Sequence, residues 1–259
     1  MTFEYWYVFP FAIAVCILAT SSGFSGAVLF QPFFYFVLQL PVASSIATGI
    51  ATETIGMTGG AYRYKKMGYL DYNVWKTLIP WVVIGVLLGF SVFMLLPSVY
   101  LKGLVGGVML LVAGLQFYAL GQSQDADNNT SIEGSKNLKK WAPLGVFAGG
   151  FSATTGTGVA EMTQPLVQFI GKIKVKRANA TAIFLEASAD WIITLLNLSI
   201  GNIRWDILLF SVSGVLIGSQ IGPRISPYIP DRILKSIFGT GVAVIGIYYL
   251  YGLTLYLLQ

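Results

Sequence analysis

The chain has 259 residues, of which 55% are hydrophobic and only 10% charged, with a formal net charge of +5 and a mean hydropathy of +0.71. A soluble domain carries about 25% charged residues, so the composition excludes a soluble globular enzyme and points to an integral membrane protein. The small positive charge sits scattered in loops, which excludes a nucleic-acid partner. There is no histidine and a single cysteine, Cys16. A histidine-based triad, a His-ligated metal or haem, a cysteine metal cluster and an internal disulfide are therefore excluded, and no cofactor or metal is expected. The N-terminus lacks the basic n-region of a cleavable signal, so none is expected.

In chain order, polar breaks leave apolar stretches at 8–20, 26–39, 43–60, 73–96 and 101–120, then at 141–153, 158–171, 178–198, 205–223 and 232–257. In each half the last three are about 18–26 residues, enough to cross a hydrocarbon core of about 30 Å. The first two are about 14 residues each, too short to cross as helices. Gly/Ser/Thr runs join them: Ser21-Ser22-Gly23-Phe24-Ser25-Gly26 in the first half, Thr154-Thr155-Gly156-Thr157-Gly158 in the second. Each pair reads as a re-entrant hairpin that dips to mid-membrane and returns; one long helix with a Gly-rich bend is the alternative.

The two halves repeat each other. Sliding the chain by 133 residues without a gap aligns Pro10 with Pro143, Gly23 with Gly156, Gln31-Pro32 with Gln164-Pro165 and Ala47-Thr48 with Ala180-Thr181. The same frame aligns Glu53 with Glu186, Gly85 with Gly218, Gly89 with Gly222 and Leu101-Lys102 with Leu234-Lys235. Loop charge alternates in opposite senses in the two halves. The loop after the first hairpin (39–44) has no Lys or Arg and the next holds Arg63, Lys65 and Lys66, whereas Lys172, Lys174, Lys176 and Arg177 follow the second hairpin and a lone Arg204 comes next. Cytoplasmic loops carry the Lys/Arg excess, so equivalent loops face opposite sides. The expected fold is an all-α polytopic membrane protein of two inverted repeats, each a re-entrant helical hairpin plus three transmembrane helices. Repeat 1 covers 1–121, a polar, mobile cytoplasmic tether 122–140, and repeat 2 141–259. Both termini are expected outside, in a multi-pass protein of a prokaryotic cytoplasmic (inner) membrane.

A broken helix at mid-membrane exposes backbone N–H groups at a half-helix N-terminus, where the helix dipole favours an anion. Gly23, Ser25 and Gly26, and Thr155, Gly156, Thr157 and Gly158, have this chemistry. Gln31 and Gln164, one residue before each proline, are candidate amide donors, and Thr48 and Thr181 candidate hydroxyl contacts. Helix packing by small residues and back-bonding of the threonines are the structural alternatives. Glu53 and Glu186 fall midway along spanning segments, where a carboxylate is costly and faces a cavity, carries a proton or has a partner. Gly49, Gly56 and Gly60 share the face of Glu53; Asn179, Asp190 and Asn197 share that of Glu186. Two ionised acids one turn apart would repel, so Glu186 or Asp190 is expected to be protonated or salt-bridged. Glu161 aligns with Val28 and makes the second tip asymmetric. Glu53, Glu186, Asp190 and Glu161 are thus the candidate coupling residues.

These motifs resemble the TauE/SafE family of sulfite exporters, also called toluene sulfonate uptake permeases. Each half of that family opens with a segment of the form G-x-G-G-G-x-x-x-x-P-x-L, then an A-T-[GS]-like element. Here Gly23-Phe24-Ser25-Gly26 runs to Gln31-Pro32, and Gly156-Thr157-Gly158 to Gln164-Pro165-Leu166. Ala47-Thr48-Gly49 and Ala180-Thr181-Ala182 match the second element, and Gly85/Gly89 and Gly218/Gly222 the family's later G-x-x-x-G. The glycine triplet is broken in both halves. The resemblance covers residues 8–257 and implies secondary transport of a sulfur-containing anion such as sulfite or an organosulfonate.

The expected function is alternating-access transport of a small oxyanion, not enzymatic catalysis, with protons as the candidate coupling ion and membrane lipid as surroundings. A passive anion channel, a cation carrier using the buried glutamates and an intramembrane enzyme with paired carboxylates are the rival readings. Oligomeric state and direction of flux are not encoded in any motif.

Overall fold

The computed structural model describes residues 3–121 and 131–257, and among them every regular element is helical. In order these are α1 (Val8–Ser22), α2 (Ala27–Phe36), α3 (Val42–Lys66), α4 (Tyr72–Leu95), α5 (Ser98–Gly121), α6 (Ser131–Leu138), α7 (Gly145–Thr155), α8 (Val159–Pro165), α9 (Val175–Ser199), α10 (Trp205–Ile225) and α11 (Asp231–Leu257). Leaving α6 aside, each half gives two short helices and then three long ones. Tyr72–Leu95, Ser98–Tyr118, Val175–Ser199 and Trp205–Tyr228 are long and apolar enough to cross a membrane. α3 is as long as α9 but is lined with Ser, Thr and Gly and ends in Arg63, Lys65 and Lys66. The basic cluster read as a loop is therefore its last turn, where cations suit the helix C-terminus.

The short helices stop where the sequence stops them. Gly23 and Gly156 cap α1 and α7 in the left-handed region, at φ +82° and +78°, and return their N–H groups to Ala19 O and Ser152 O. A residue without Cβ takes that conformation without strain. α2 then folds back along α1: Phe33 stacks on Phe11 at 3.8 Å between ring centroids and meets Tyr7 at 6.3 Å. This is a hairpin, not one long kinked helix. Pro165 ends α8, and residues 166–170 continue as a π-helical turn, a widening suited to a residue that cannot donate to the preceding turn.

Glycines bring the hairpins against the long helices. A Cβ on Gly85 of α4 would fall 2.1 Å from Val146 O, and one on Gly218 of α10 would fall 2.8 Å from Ile13 O. Gly89 faces Gly150 and Gly222 faces Ile17 in the same way. Each pair maps onto the other under the 133-residue shift, so the duplicated glycines make duplicated backbone contacts, as small residues do between membrane helices. α3 and α9, equivalent in the repeat, run antiparallel: Thr54 bonds Thr194 at 2.7 Å, Trp191 Nε1 donates to Thr58 Oγ1 at 3.0 Å, and Gly60 faces Ile183. α5 and α11 do the same, with Gly103 opposite Leu253, Gly106 opposite Leu250 and Gln116 opposite Gly239.

Polarity is distributed as lipid demands. Leu87, Leu88, Leu95, Leu209 and Leu216 point outward, while Thr52, Glu53, Gln31, Thr155, Glu186 and Asp190 are buried. Cys16 is buried too, its Sγ 3.4 Å from Val215 O. Residues 122–130 of the expected tether lie outside the described residues. Its second part forms α6, joined to α4 by a 2.8 Å hydrogen bond between Thr77 and Ser135, with fully buried Leu138 lying against Gly171.

Candidate functional site

The first turn of a helix leaves N–H groups without intrahelical acceptors. At the tip of the first hairpin these are claimed by an acid from another helix. Glu53, 2% exposed on α3, accepts from Gly26 N at 2.6 Å, Ala27 N at 2.9 Å and Ser25 Oγ at 2.7 Å. The glycines on its face admit this approach: a Cβ on Gly49 would already touch Gln31 N at 3.5 Å, and one on Gly56 would crowd Cys16 Sγ at 3.0 Å.

The second tip repeats the device. Glu186, fully buried on α9, accepts from Ala160 N and, at 3.3 Å, from Ser152 Oγ. Ala160 is the repeat partner of Ala27, as Glu186 is of Glu53. Glu161 then adds what the first half lacks. One of its oxygens accepts from Gly158 N at 3.1 Å in its own tip, and the other from Ser25 N at 2.7 Å in the opposite tip. Ser25 Oγ also lies 3.3 Å from Gly156 O. The two hairpin tips therefore meet, and Ser25 is the residue on which Glu53, Glu161 and Gly156 converge.

Asp190 completes the cluster. An oxygen from each of Glu53, Glu186 and Asp190 lies within 4.8 Å of the other two. Asp190 is 1% exposed and neither of its oxygens has a hydrogen-bond partner. Among the described residues, none of these acids is paired with a Lys or Arg, so the ion pair that could have neutralised Glu186 or Asp190 is not formed. Four carboxyl groups packed together in a low-dielectric interior need positive charge from outside the chain, as protons or as a cation.

The other expected contacts divide. Gln31 is fully buried with both amide atoms unpartnered; Gln164 Nε2 donates to Gln168 at 3.2 Å, and its oxygen is unpartnered. Asn179 Oδ1, also buried and unpartnered, lies against Gly23. Thr157 is fully buried in the second tip, its carbonyl accepting from Thr155 Oγ1 at 3.2 Å. Thr48 and Thr181 are engaged elsewhere. Their hydroxyls accept from Arg204 N at 3.1 Å and Asp71 N at 3.2 Å, the residues that precede α10 and α4. These are again repeat partners, and the pairing explains the duplicated threonines without a ligand. Sequence reading did not reach Ser152, whose counterpart in the first half is Ala19, or the N–H groups of Ala27 and Ala160, which as backbone donors have no residue signature.

The tips differ in tolerance. A Cβ on Gly23 would meet Asn179 Cγ at 2.8 Å, whereas one on Gly156 would find nothing nearer than Ile50 at 3.5 Å. Both substitutions incur left-handed strain of about 1–2 kcal/mol, but only the first displaces a neighbour. Gly23→Ala should lower the melting temperature clearly more than Gly156→Ala; equal shifts in a thermal melt would mean that Asn179 yields freely.

An all-helical chain with membrane-crossing helices, an apolar exterior and broken helices meeting around buried acids is built as a polytopic membrane protein. Residues 8–249 match the family described as sulfite exporter TauE/SafE, and the chain belongs to that family. It is similar to the probable membrane transporter protein MamO of Magnetospirillum gryphiswaldense, 23% identical over 232 residues, which covers 76% of this chain and 37% of MamO. The MamO of Paramagnetospirillum magneticum is 24% identical over 232 residues, covering 76% of this chain and 36% of that protein. The chain thus spans little more than a third of the MamO proteins it matches. The probable membrane transporter protein YdhB of Bacillus subtilis is 19% identical over 218 residues, covering 83% of this chain and 87% of YdhB. No solved structure matches.

Proposed function

We propose that the chain is a secondary transporter of a small oxyanion, most simply a sulfur-containing one such as sulfite or an organosulfonate, working by alternating access between two inverted repeats. The observation that carries this reading is the pair of half-helix N-termini whose donors hold carboxylates: Gly26 N, Ala27 N and Ser25 Oγ on Glu53, and Ala160 N on Glu186. A site that binds a tethered carboxylate through backbone N–H groups has the donor geometry for a free oxyanion. The unpartnered amide of Gln31 supplies further donors nearby. Antiparallel pairing of α3 with α9 and of α5 with α11 supports inversion, since a repeat related by an axis along the membrane normal would set equivalent helices parallel. With the loop-charge pattern it supports a cytoplasmic linker and external termini in a prokaryotic inner membrane.

The same donors cannot serve both the substrate and the protein's own acids. Anion entry therefore requires Glu53 or Glu186 to let go, and neutralising the acid is what releases it. Binding of positive charge and of the anion become favourable to each other, which is coupling by linkage. Gly23, Ser25, Gly26, Gly156, Thr157 and Gly158 frame the exchange, with Glu53, Glu186, Asp190 and Glu161 as its charge-carrying side.

Flux of sulfite and short sulfonates in proteoliposomes tests this. Saturable flux that accelerates under an imposed gradient of the coupling cation is expected. Unitary currents without saturation would make the protein a channel, and cation flux without any anion would make it a cation carrier.

A further inference from the structure

We infer that Glu53, Glu186 and Asp190 form a binding site for a small hard cation, with sodium as the ion put to the test and Asp190 as the ligand that only the cation satisfies. The inference deepens the coupled-transport reading by naming the co-substrate, and rests on that reading for its purpose, though not for the binding itself.

Three features point to a metal ion in place of a shared proton. The first is the spacing. Oxygens from the three acids lie mutually within 4.8 Å, so some point between them is within about 2.8 Å of all three, a reach that takes in the roughly 2.3–2.6 Å at which carboxylate oxygens hold calcium, a larger hard cation than magnesium. The second is Asp190 itself. It is buried, both oxygens lack any partner, and no carboxyl–carboxyl hydrogen bond joins it to either glutamate. A proton held between two carboxyls would need such a bond, and a cation does not. The third is division of labour. Glu53 and Glu186 spend oxygens on helix N-termini, whereas Asp190, one turn beyond Glu186 on α9, spends none. An acid with no structural contact, placed among acids that have them, is free to bind and release an ion.

The ion also supplies what anion entry requires. A cation drawn between the three acids pulls Glu53 and Glu186 toward itself and offsets part of their charge, which loosens their hold on the tip N–H groups and makes these available to the anion. Asn179 Oδ1, buried and unpartnered against Gly23, is a further hard oxygen at the same tip.

Thermal melting of the purified protein, without any anion substrate, tests the site at alkaline pH. Sodium chloride is titrated against potassium and choline chloride at constant ionic strength. Sodium should raise the melting temperature in a saturable way, as a ligand selective for the native state must, and potassium and choline should not. Asp190→Asn should abolish the sodium response while melting in choline no lower than the parent, because it removes an uncompensated buried charge. Identical melting in all three salts overturns the proposal, and if acidification then stabilises the parent but not Asp190→Asn, the proton takes the site. Saturable stabilisation by calcium but not sodium overturns the choice of ion. An unchanged sodium response in Asp190→Asn places the ion elsewhere. None of these arms involves anion flux, so sodium binding without sulfite transport would sink the proposed function alone.

Discussion

Glu53→Ala should be strongly destabilising, and a small anion should partly rescue it. Removing the carboxylate leaves Gly26 N and Ala27 N without their acceptor in a buried site, and Ser25 Oγ with only its 3.3 Å contact to Gly156 O. Each orphaned buried donor costs about 1–3 kcal/mol, so the loss is several kcal/mol, or about 10 °C of melting temperature at about 2–4 °C per kcal/mol in a chain near this size. The vacated space has the shape of a carboxylate and keeps its donors. Formate, acetate or sulfite added to the variant should therefore raise its melting temperature in a saturable way, while the parent, whose donors are occupied, responds less. A variant that melts like the parent would mean that the carboxylate does not hold the first hairpin. One that is destabilised but ignores every anion would remove the tip from the proposed substrate site.

Duplication made most of this architecture legible. Matched Gly, Pro and Glu residues in one ungapped frame gave the element order, and short apolar stretches broken by Gly-rich runs gave the hairpins, because helix length and left-handed turns are written in local sequence. The glutamates were legible as costly residues inside spanning segments, and Glu161 as the one tip acid without a counterpart. What they bind was not legible. That Glu53 reaches Ala27, and Glu161 reaches Ser25 across the halves, depends on how helices far apart in sequence pack, and the groups they bind are mostly backbone N–H, which every residue but proline has. Thr48 and Thr181 show the reverse difficulty. Their duplication looked like a paired binding element, yet the same duplication serves a paired loop contact with Arg204 and Asp71. A repeat duplicates its scaffolding as faithfully as its site, so symmetry alone cannot tell them apart.

Glu161→Val should separate the two roles. Valine is what the first half carries at this place, Val28, which is fully buried, so the substitution makes the tips alike. Two acceptors vanish: Ser25 N and Gly158 N each lose a carboxylate oxygen. At about 1–3 kcal/mol per orphaned donor the cost is about 2–6 kcal/mol, and the melting temperature should drop by about 5–15 °C. Glu161→Gln keeps one carbonyl oxygen and should lose less. The effect on function goes beyond stability. On the proposed alternating-access reading, identical halves would give inward- and outward-facing states equal free energy, and Glu161, which ties Ser25 to the second tip, would be an asymmetry that favours one packing of tip on tip. Without it, an introduced cysteine next to the tips, on a Cys16→Ser background, should become more reactive to impermeant reagents from the disfavoured side, and anion flux should fall at least tenfold because the tips no longer move together. If the valine variant is destabilised but labels and transports like the parent, the Ser25–Glu161 bond is structural only, and coordination between the hairpins has to pass through α3 and α9.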